Sequence, residues 1–161
     1  NRNLENQIII ITGCSAGVGK ETARALLEKG AKIIFACRDK QKTEKIIEKI
    51  TNTNTIKNAF FIQLNLSSFK SVGNFVNEFN KKFDRLDILI NNAGCVNQKL
   101  SFTEDNLEKT IQTNHISHVM LTALLLKNLK NSNDPRVINV GSGAHSFIDN
   151  KIDYFKFTED I

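Results

Sequence analysis

Four consecutive isoleucines, Ile8 to Ile11, lead into Thr12 and then directly into Gly13-Cys14-Ser15-Ala16-Gly17-Val18-Gly19. A strand that is apolar at every position has no face to offer water, so Gln7–Thr12 must be covered on both sides. The alternation then repeats. Lys20–Lys29 reads as a helix that buries Ala23, Leu26 and Leu27 and stops at Gly30. Lys32–Cys37 is a second strand, Gln41–Ile50 a more charged helix, and Asn58–Leu64 a third strand. Val72, Phe75, Val76, Phe79 and Phe83 recur at helical spacing. Leu86–Ile90 reads as strand four, Thr103–Leu129 as one long helix and Arg136–Val140 as strand five. A β-α series of this kind predicts an α/β fold, a doubly wound parallel sheet of about five strands with helices on both faces. Right-handed crossovers leave little choice of topology, and ligands of such sheets bind at the carboxyl ends of the strands.

Composition narrows the class further. A chain of 161 residues suits one domain. With 40% hydrophobic and 24% charged residues, one Pro and eight Gly, it is neither low-complexity nor fibrous. No apolar run approaches the roughly 18 residues of a membrane-spanning helix. Three cysteines, Cys14, Cys37 and Cys95, form no C-x-x-C pair, which predicts an intracellular, reducing compartment. They follow strand ends one, two and four but lack metal-ligand spacing, so small buried thiols are expected and no metal site. The net charge of +5 suits an anionic partner, and a small phosphorylated ligand satisfies it as well as nucleic acid does. The lysines at 40, 42, 45, 49, 81 and 82 lack interleaved aromatics, which argues against nucleic acid. The chain starts at Asn1 and stops at Ile161 in a charged, unpatterned stretch, so the natural protein is expected to extend past both ends.

The glycine turn carries the chemistry. A turn this tight needs residues that tolerate positive φ, and a phosphate reaches the backbone only where side chains are absent. The helix behind it presents unpaired N–H groups and a positive dipole end to an anion. A glycine triplet alone is weak evidence. Between the first strand and first helix of a βαβ series it points to dinucleotide binding and a Rossmann-type sheet, with a merely structural turn as the alternative. The spacing is G-x-x-x-G-x-G, which differs from the general dinucleotide fingerprint.

With this spacing the chain resembles the short-chain dehydrogenase/reductase family, and further motifs agree in order along nearly the whole chain. Asn91-Asn92-Ala93-Gly94 matches the family's N-N-A-G, Asn114 its helix asparagine, and Arg136-Val-Ile-Asn-Val-Gly-Ser142 the strand ending in its serine. Lys20-Glu21-Thr22-Ala23, Cys37-Arg38-Asp39, Thr113-Asn-His-Ile-Ser-His118 and Gly143-Ala144-His145 resemble the retinol dehydrogenase and WW-domain oxidoreductase branch. That resemblance implies an oxidoreductase acting on a small lipophilic carbonyl or alcohol. Thr12, Gly13, Ser15, Ala16, Gly17, Val18 and Gly19 would line the cofactor, as would Asn65, Leu66, Asn92, Ala93 and Gly94.

Cofactor choice rests on Arg38. A carboxylate just past strand two serves the ribose 2′-OH of NAD, whereas an arginine accommodates a 2′-phosphate. Cys37 takes the acid's place and Arg38 follows it, so NADP(H) is the expected cofactor, with a solvated arginine as the alternative. Asp39 reads as the cap of the next helix. Asn65 stands where the family usually has an aspartate accepting from adenine, which leaves an acceptor but a weaker one.

Asn114 shares a helical stripe with Leu107, Ile111, His118, Leu121 and Leu125. An amide there must be hydrogen-bonded. It is either a satisfied core asparagine or, as the resemblance implies, the holder of a water in a proton relay. His115 and His118 read as structural. Ser142, flanked by Gly141 and Gly143, would orient the substrate oxygen, or is a plain turn serine.

The family's proton donor is a Tyr with a Lys four residues later. The single tyrosine, Tyr154, is followed four residues on by Thr158, so it receives no catalytic role. Two readings remain open. In one the native chain continues past Ile161 to a Tyr-x-x-x-Lys motif and is an NADP-dependent enzyme. In the other it is a degenerate nucleotide-binding or structural subunit, as a homo-oligomer or in a larger assembly.

Overall fold

The computed structural model describes residues 4–97 and 99–143. Five strands form one parallel sheet: β1 (Ile8–Thr12), β2 (Lys32–Cys37), β3 (Ala59–Gln63), β4 (Ile88–Asn91) and β5 (Arg136–Asn139). Their order is β3-β2-β1-β4-β5. From β1 the chain winds outward through β2 to β3, then returns to place β4 on the other side of β1. That reversal opens a crevice between β1 and β4 at the carboxyl ends.

The isoleucine run explains the layering, because successive strand side chains point to opposite faces. Ile9 and Ile11 pack with Ala23 and Leu27 of α1 (Gly17–Glu28) and Ile47 of α2 (Lys40–Ile50). Ile8 and Ile10 pack on the other face with Val72, Phe75 and Phe79 of α3 (Phe69–Asn80). Ile9, Ile10 and Ile11 are fully buried, and each such side chain stabilises the fold by roughly 1.5–3 kcal/mol. The doubly wound sheet expected from the alternation is the fold observed. Asp39 does cap α2, accepting from the Lys42 N–H at 2.9 Å.

The long helix differs from the expectation. Thr103–Leu129 is not one helix: the helical path begins with α4 (Lys109–Ile111), passes through a π-turn at Gln112–Ile116 and resumes as α5 (Ser117–Leu124) and α6 (Leu126–Lys130). Glu108 starts it, its carboxylate accepting from the N–H groups of Thr110 at 2.8 Å and Ile111 at 2.7 Å. Those two bonds hold the Glu108 carboxyl below its ordinary pKa. The π-turn winds in one extra residue, which rotates the following stripe by about 100°. Ile111 and Asn114 are therefore exposed, while His118, Leu121 and Leu125 are buried. Only the second half of the expected buried stripe faces the core.

Candidate functional site

A cleft of about 680 Å³ lies at the carboxyl ends of β1 to β4. Its floor is the glycine turn, and three glycines serve it for three reasons. Gly13 has φ +66°, and a Cβ there would stand 2.8 Å from the Cα of Ala93. A Cβ on Gly19 would come within 2.4 Å of Asn92 Nδ2. Gly17 has φ +54° with open space beside it, so its need is conformational. The N-cap residue of α1 is Ala16, whose methyl side chain offers the first N–H groups no acceptor. Its first N–H groups and positive end therefore open onto the cleft that Gly17, Val18 and Gly19 line, an arrangement suited to an anion.

Thr12 and Asn92 join the two sides of the crevice. The Thr12 hydroxyl accepts from the N–H groups of Asn92 and Ala93, both at 2.9 Å. In return Asn92 Nδ2 donates to the Thr12 carbonyl at 2.8 Å and reaches the Gly13 carbonyl at 3.4 Å. Thr12 is fully buried, so it stands behind the cleft as an anchor while Asn92 and Ala93 line it. His118 completes this network. Its Nδ1 lies 3.1 Å from the Asn114 carbonyl and its Nε2 2.9 Å from the Thr12 hydroxyl. A carbonyl only accepts, so Nδ1 carries the proton and the Thr12 hydroxyl donates to Nε2. Burial holds the His118 pKa below its ordinary value, in keeping with a neutral ring.

The second wall comes from β2 and β3. Arg38 is exposed at the carboxyl tip of β2 and lines the cleft beside Cys37. Among the described residues its guanidinium makes no ion pair. Gln63 Nε2 donates to the Arg38 carbonyl at 3.1 Å and ties the tip to β3. Asn65 and Leu66 line the cleft too. The Asn65 side-chain oxygen accepts from the Ser67 N–H at 3.1 Å, which fixes the loop and leaves that oxygen one further acceptor position.

Asn114 and Cys95 form a double clamp. Asn114 Nδ2 donates to the Cys95 carbonyl and its Oδ1 accepts from the Cys95 N–H, each at 2.8 Å. The amide is exposed yet satisfied on both sides, so it works here as a strap on the loop that leaves β4. Its residue also borders a neighbouring groove of about 530 Å³, with Val119, Ala123 and Val137, and Ala93 borders both cavities. Ser142 is exposed two residues past β5's last bonded neighbour, Val140, whose N–H donates to the Asn91 carbonyl at 3.0 Å. Tyr154, Ala144 and His145 lie outside the described residues.

The sequence reading missed Lys109 and Thr113, which line the same cleft. Lys109 and Arg38 also border one smaller recess with Asn65 and Ser67. The only signal available was their four-residue spacing at the start of a helical period, and that marks any helix face.

Comparison with known proteins agrees with this geometry. Residues 7–149 match the sequence model of the family described as short chain dehydrogenase. Human retinol dehydrogenase 12 is 41% identical over 145 residues, covering 90% of this chain and 46% of that protein. Human retinol dehydrogenase 11 is 39% identical over 142 residues, covering 88% of this chain and 45% of that protein. The chain thus spans about half the length of these relatives. The solved NADP active-site complex of Pseudomonas aeruginosa RhlG superposes with a TM-score of 0.73 at 31% identity, covering 87% of this chain and 56% of that one.

Proposed function

Because the chain belongs to the short chain dehydrogenase family, we propose that its cleft binds NADP(H) and that the protein interconverts the carbonyl and alcohol of a small lipophilic substrate. The observation that carries the cofactor choice is Arg38. It is exposed at the tip of β2, pairs with no carboxylate among the described residues, and lines the same cleft as the uncapped start of α1. Asp39, the carboxylate that would compete for a ribose, is committed to capping α2. A guanidinium suits a 2′-phosphate through charge-assisted bonds. The lipophilic substrate class is supported by the likeness to retinol dehydrogenases. A reducing compartment is supported by Cys14, Cys37 and Cys95, all free thiols.

When bound, the nicotinamide supplies or accepts the hydride. This chain's own residues bind and orient. The α1 amides and glycine turn receive the pyrophosphate, Arg38 the 2′-phosphate, and Asn65 retains an acceptor for the adenine amino group. Thr12 and Asn92 hold the turn at a fixed distance from β4, and Asn114 holds the β4 loop through Cys95. Ser142 is assigned to hydrogen-bond the substrate oxygen. A serine hydroxyl is too weak an acid to complete the reaction, so protonation falls to another group of the whole protein.

The intact protein should oxidise NADPH when given retinal or another lipophilic aldehyde, and Ser142→Ala should cost it about 10²–10³-fold in kcat, the scale of losing one oxyanion donor. NADPH that stays unconsumed across a panel of such aldehydes would refute the substrate class.

A further inference from the structure

Cys14 and Cys37 lie on neighbouring chain segments just behind the cleft. Their sulfurs are 3.6 Å apart, and both side chains belong to the core cluster on the α1 and α2 face. Ladder pairing of β1 with β2 runs to Thr12 opposite Ala36, and the Gly13 N–H still donates to the Ala36 carbonyl at 3.0 Å, so Cys14 and Cys37 stand one step out of register where the paired segments end. The facing sulfurs are the groups a bridge would join. We propose that Cys14 and Cys37 form an oxidisable dithiol in the wall of the cleft, converted by hydrogen peroxide to a disulfide that deforms the glycine turn and weakens NADP(H) binding. The disulfide stands on the two thiols alone; its effect on the nucleotide rests on the cofactor assigned above.

The chemistry divides between the two residues. Cys37 borders the cleft and is the attacking sulfur. The Cys14 thiol beside it, helped by Thr43 and the backbone N–H groups of Cys14 and Ser15, brings the Cys37 pKa down to about 7 against the effect of burial. Burial and the neighbouring Cys37 push the Cys14 pKa up, so Cys14 keeps its proton and serves as the resolving thiol. The Cys37 thiolate attacks one peroxide oxygen, the O–O bond breaks, and the leaving hydroxide takes a proton to become water. The Cys37 sulfenic acid is then attacked by Cys14. An S–S bond forms, the S–O bond breaks, and a second water carries off the remaining proton. Two sulfurs lose two electrons in all, and the peroxide gains them.

Closure must bring the sulfurs from 3.6 Å to about 2.05 Å. Cys14 has little freedom to follow. Gly13 is pressed against Ala93, and the Cys14 Cα lies 3.0 Å from where a Cβ on Gly19 would stand. Drawing Cys14 toward β2 therefore drags Gly13 and Ser15, both of which line the cleft.

The test treats the intact protein with peroxide, with and without prior NADPH, and digests it with trypsin without reductant. Residues 3–20 should appear joined to residues 33–38, and the joined peptide should disappear on reduction. Cys14→Ala should instead accumulate a Cys37 sulfenic acid that dimedone traps. NADPH added first should protect, and oxidised protein should bind NADPH at least tenfold more weakly, with reductant restoring affinity. Absence of the joined peptide under peroxide overturns the dithiol. A joined peptide with unchanged NADPH affinity overturns the gating. Reduced protein that binds no NADPH defeats the cofactor assignment, while the joined peptide still upholds the dithiol.

Discussion

Thr12 and Asn92 hold each other by opposite groups: the Thr12 hydroxyl accepts from the Asn92 N–H at 2.9 Å, and Asn92 Nδ2 donates to the Thr12 carbonyl at 2.8 Å. The pair crosses from β1 to β4 at the point where the winding of the sheet reverses. Removing the hydroxyl leaves the N–H groups of Asn92 and Ala93 and the ring of His118 without their common partner. Thr12→Ala should therefore destabilise the protein by about 1–3 kcal/mol, the cost of stranding buried polar groups. Thr12→Ser keeps the oxygen and should recover most of it, measured by urea unfolding. Equal losses in both variants would show that the methyl, not the hydroxyl, matters.

The glycines of the turn should separate by mechanism. Gly19→Ala places a Cβ against the Asn92 amide and Cys14, so both thermal stability and nucleotide affinity should fall. Gly17→Ala meets nothing but imposes a left-handed residue, at roughly 1–2 kcal/mol. Its circular dichroism should stay native while NADPH affinity drops. If the two variants behave alike in both measurements, the distinction drawn from their surroundings is wrong.

Lys109 shares a recess with Arg38, so a polyanion at one should feel the other. Lys109→Ala should weaken NADPH several-fold and NADH hardly at all, because a half-buried charge still open to solvent contributes about 1 kcal/mol or less. A titration at low and high salt checks it, and the difference should shrink as salt rises.

His118 links the site to pH. Its folded pKa is lowered by burial, with His115 the nearby like charge, so the unfolded chain binds the proton first. The His118 contribution to stability should therefore be constant above about pH 6.5 and fall as pH drops below it, by at most about 1.4 kcal/mol per unit. His118→Gln should flatten the slope between pH 6.5 and 5.5. A slope that persists in the variant assigns the effect elsewhere.

How far the sequence could be read follows from what each signal measures. The isoleucine run and the glycine turn act through local backbone and burial, and both led to the observed sheet and cleft. Asp39 as a cap was equally local. Asn114 was harder. Its helical stripe assumed an unbroken 3.6-residue period, and the π-turn over Gln112–Ile116 shifted the register, so the amide expected in the core is exposed and clamps Cys95 instead. Lys109 and Thr113 reach the cleft only through the tertiary placement of that same segment. The closeness of Cys14 and Cys37 depends on the parallel register of β1 with β2, which no spacing in the sequence encodes.

Whether Arg38 reads a 2′-phosphate is tested most directly by calorimetric titration of the intact protein with NADPH and with NADH. One charge-assisted contact contributes about 1.5–3 kcal/mol, which makes NADPH roughly tenfold to over a hundredfold tighter. Arg38→Asp should reverse the order by repelling the phosphate and accepting from a ribose hydroxyl. Equal affinities of the unaltered protein for the two nucleotides, or a preference that Arg38→Asp leaves intact, would contradict the account.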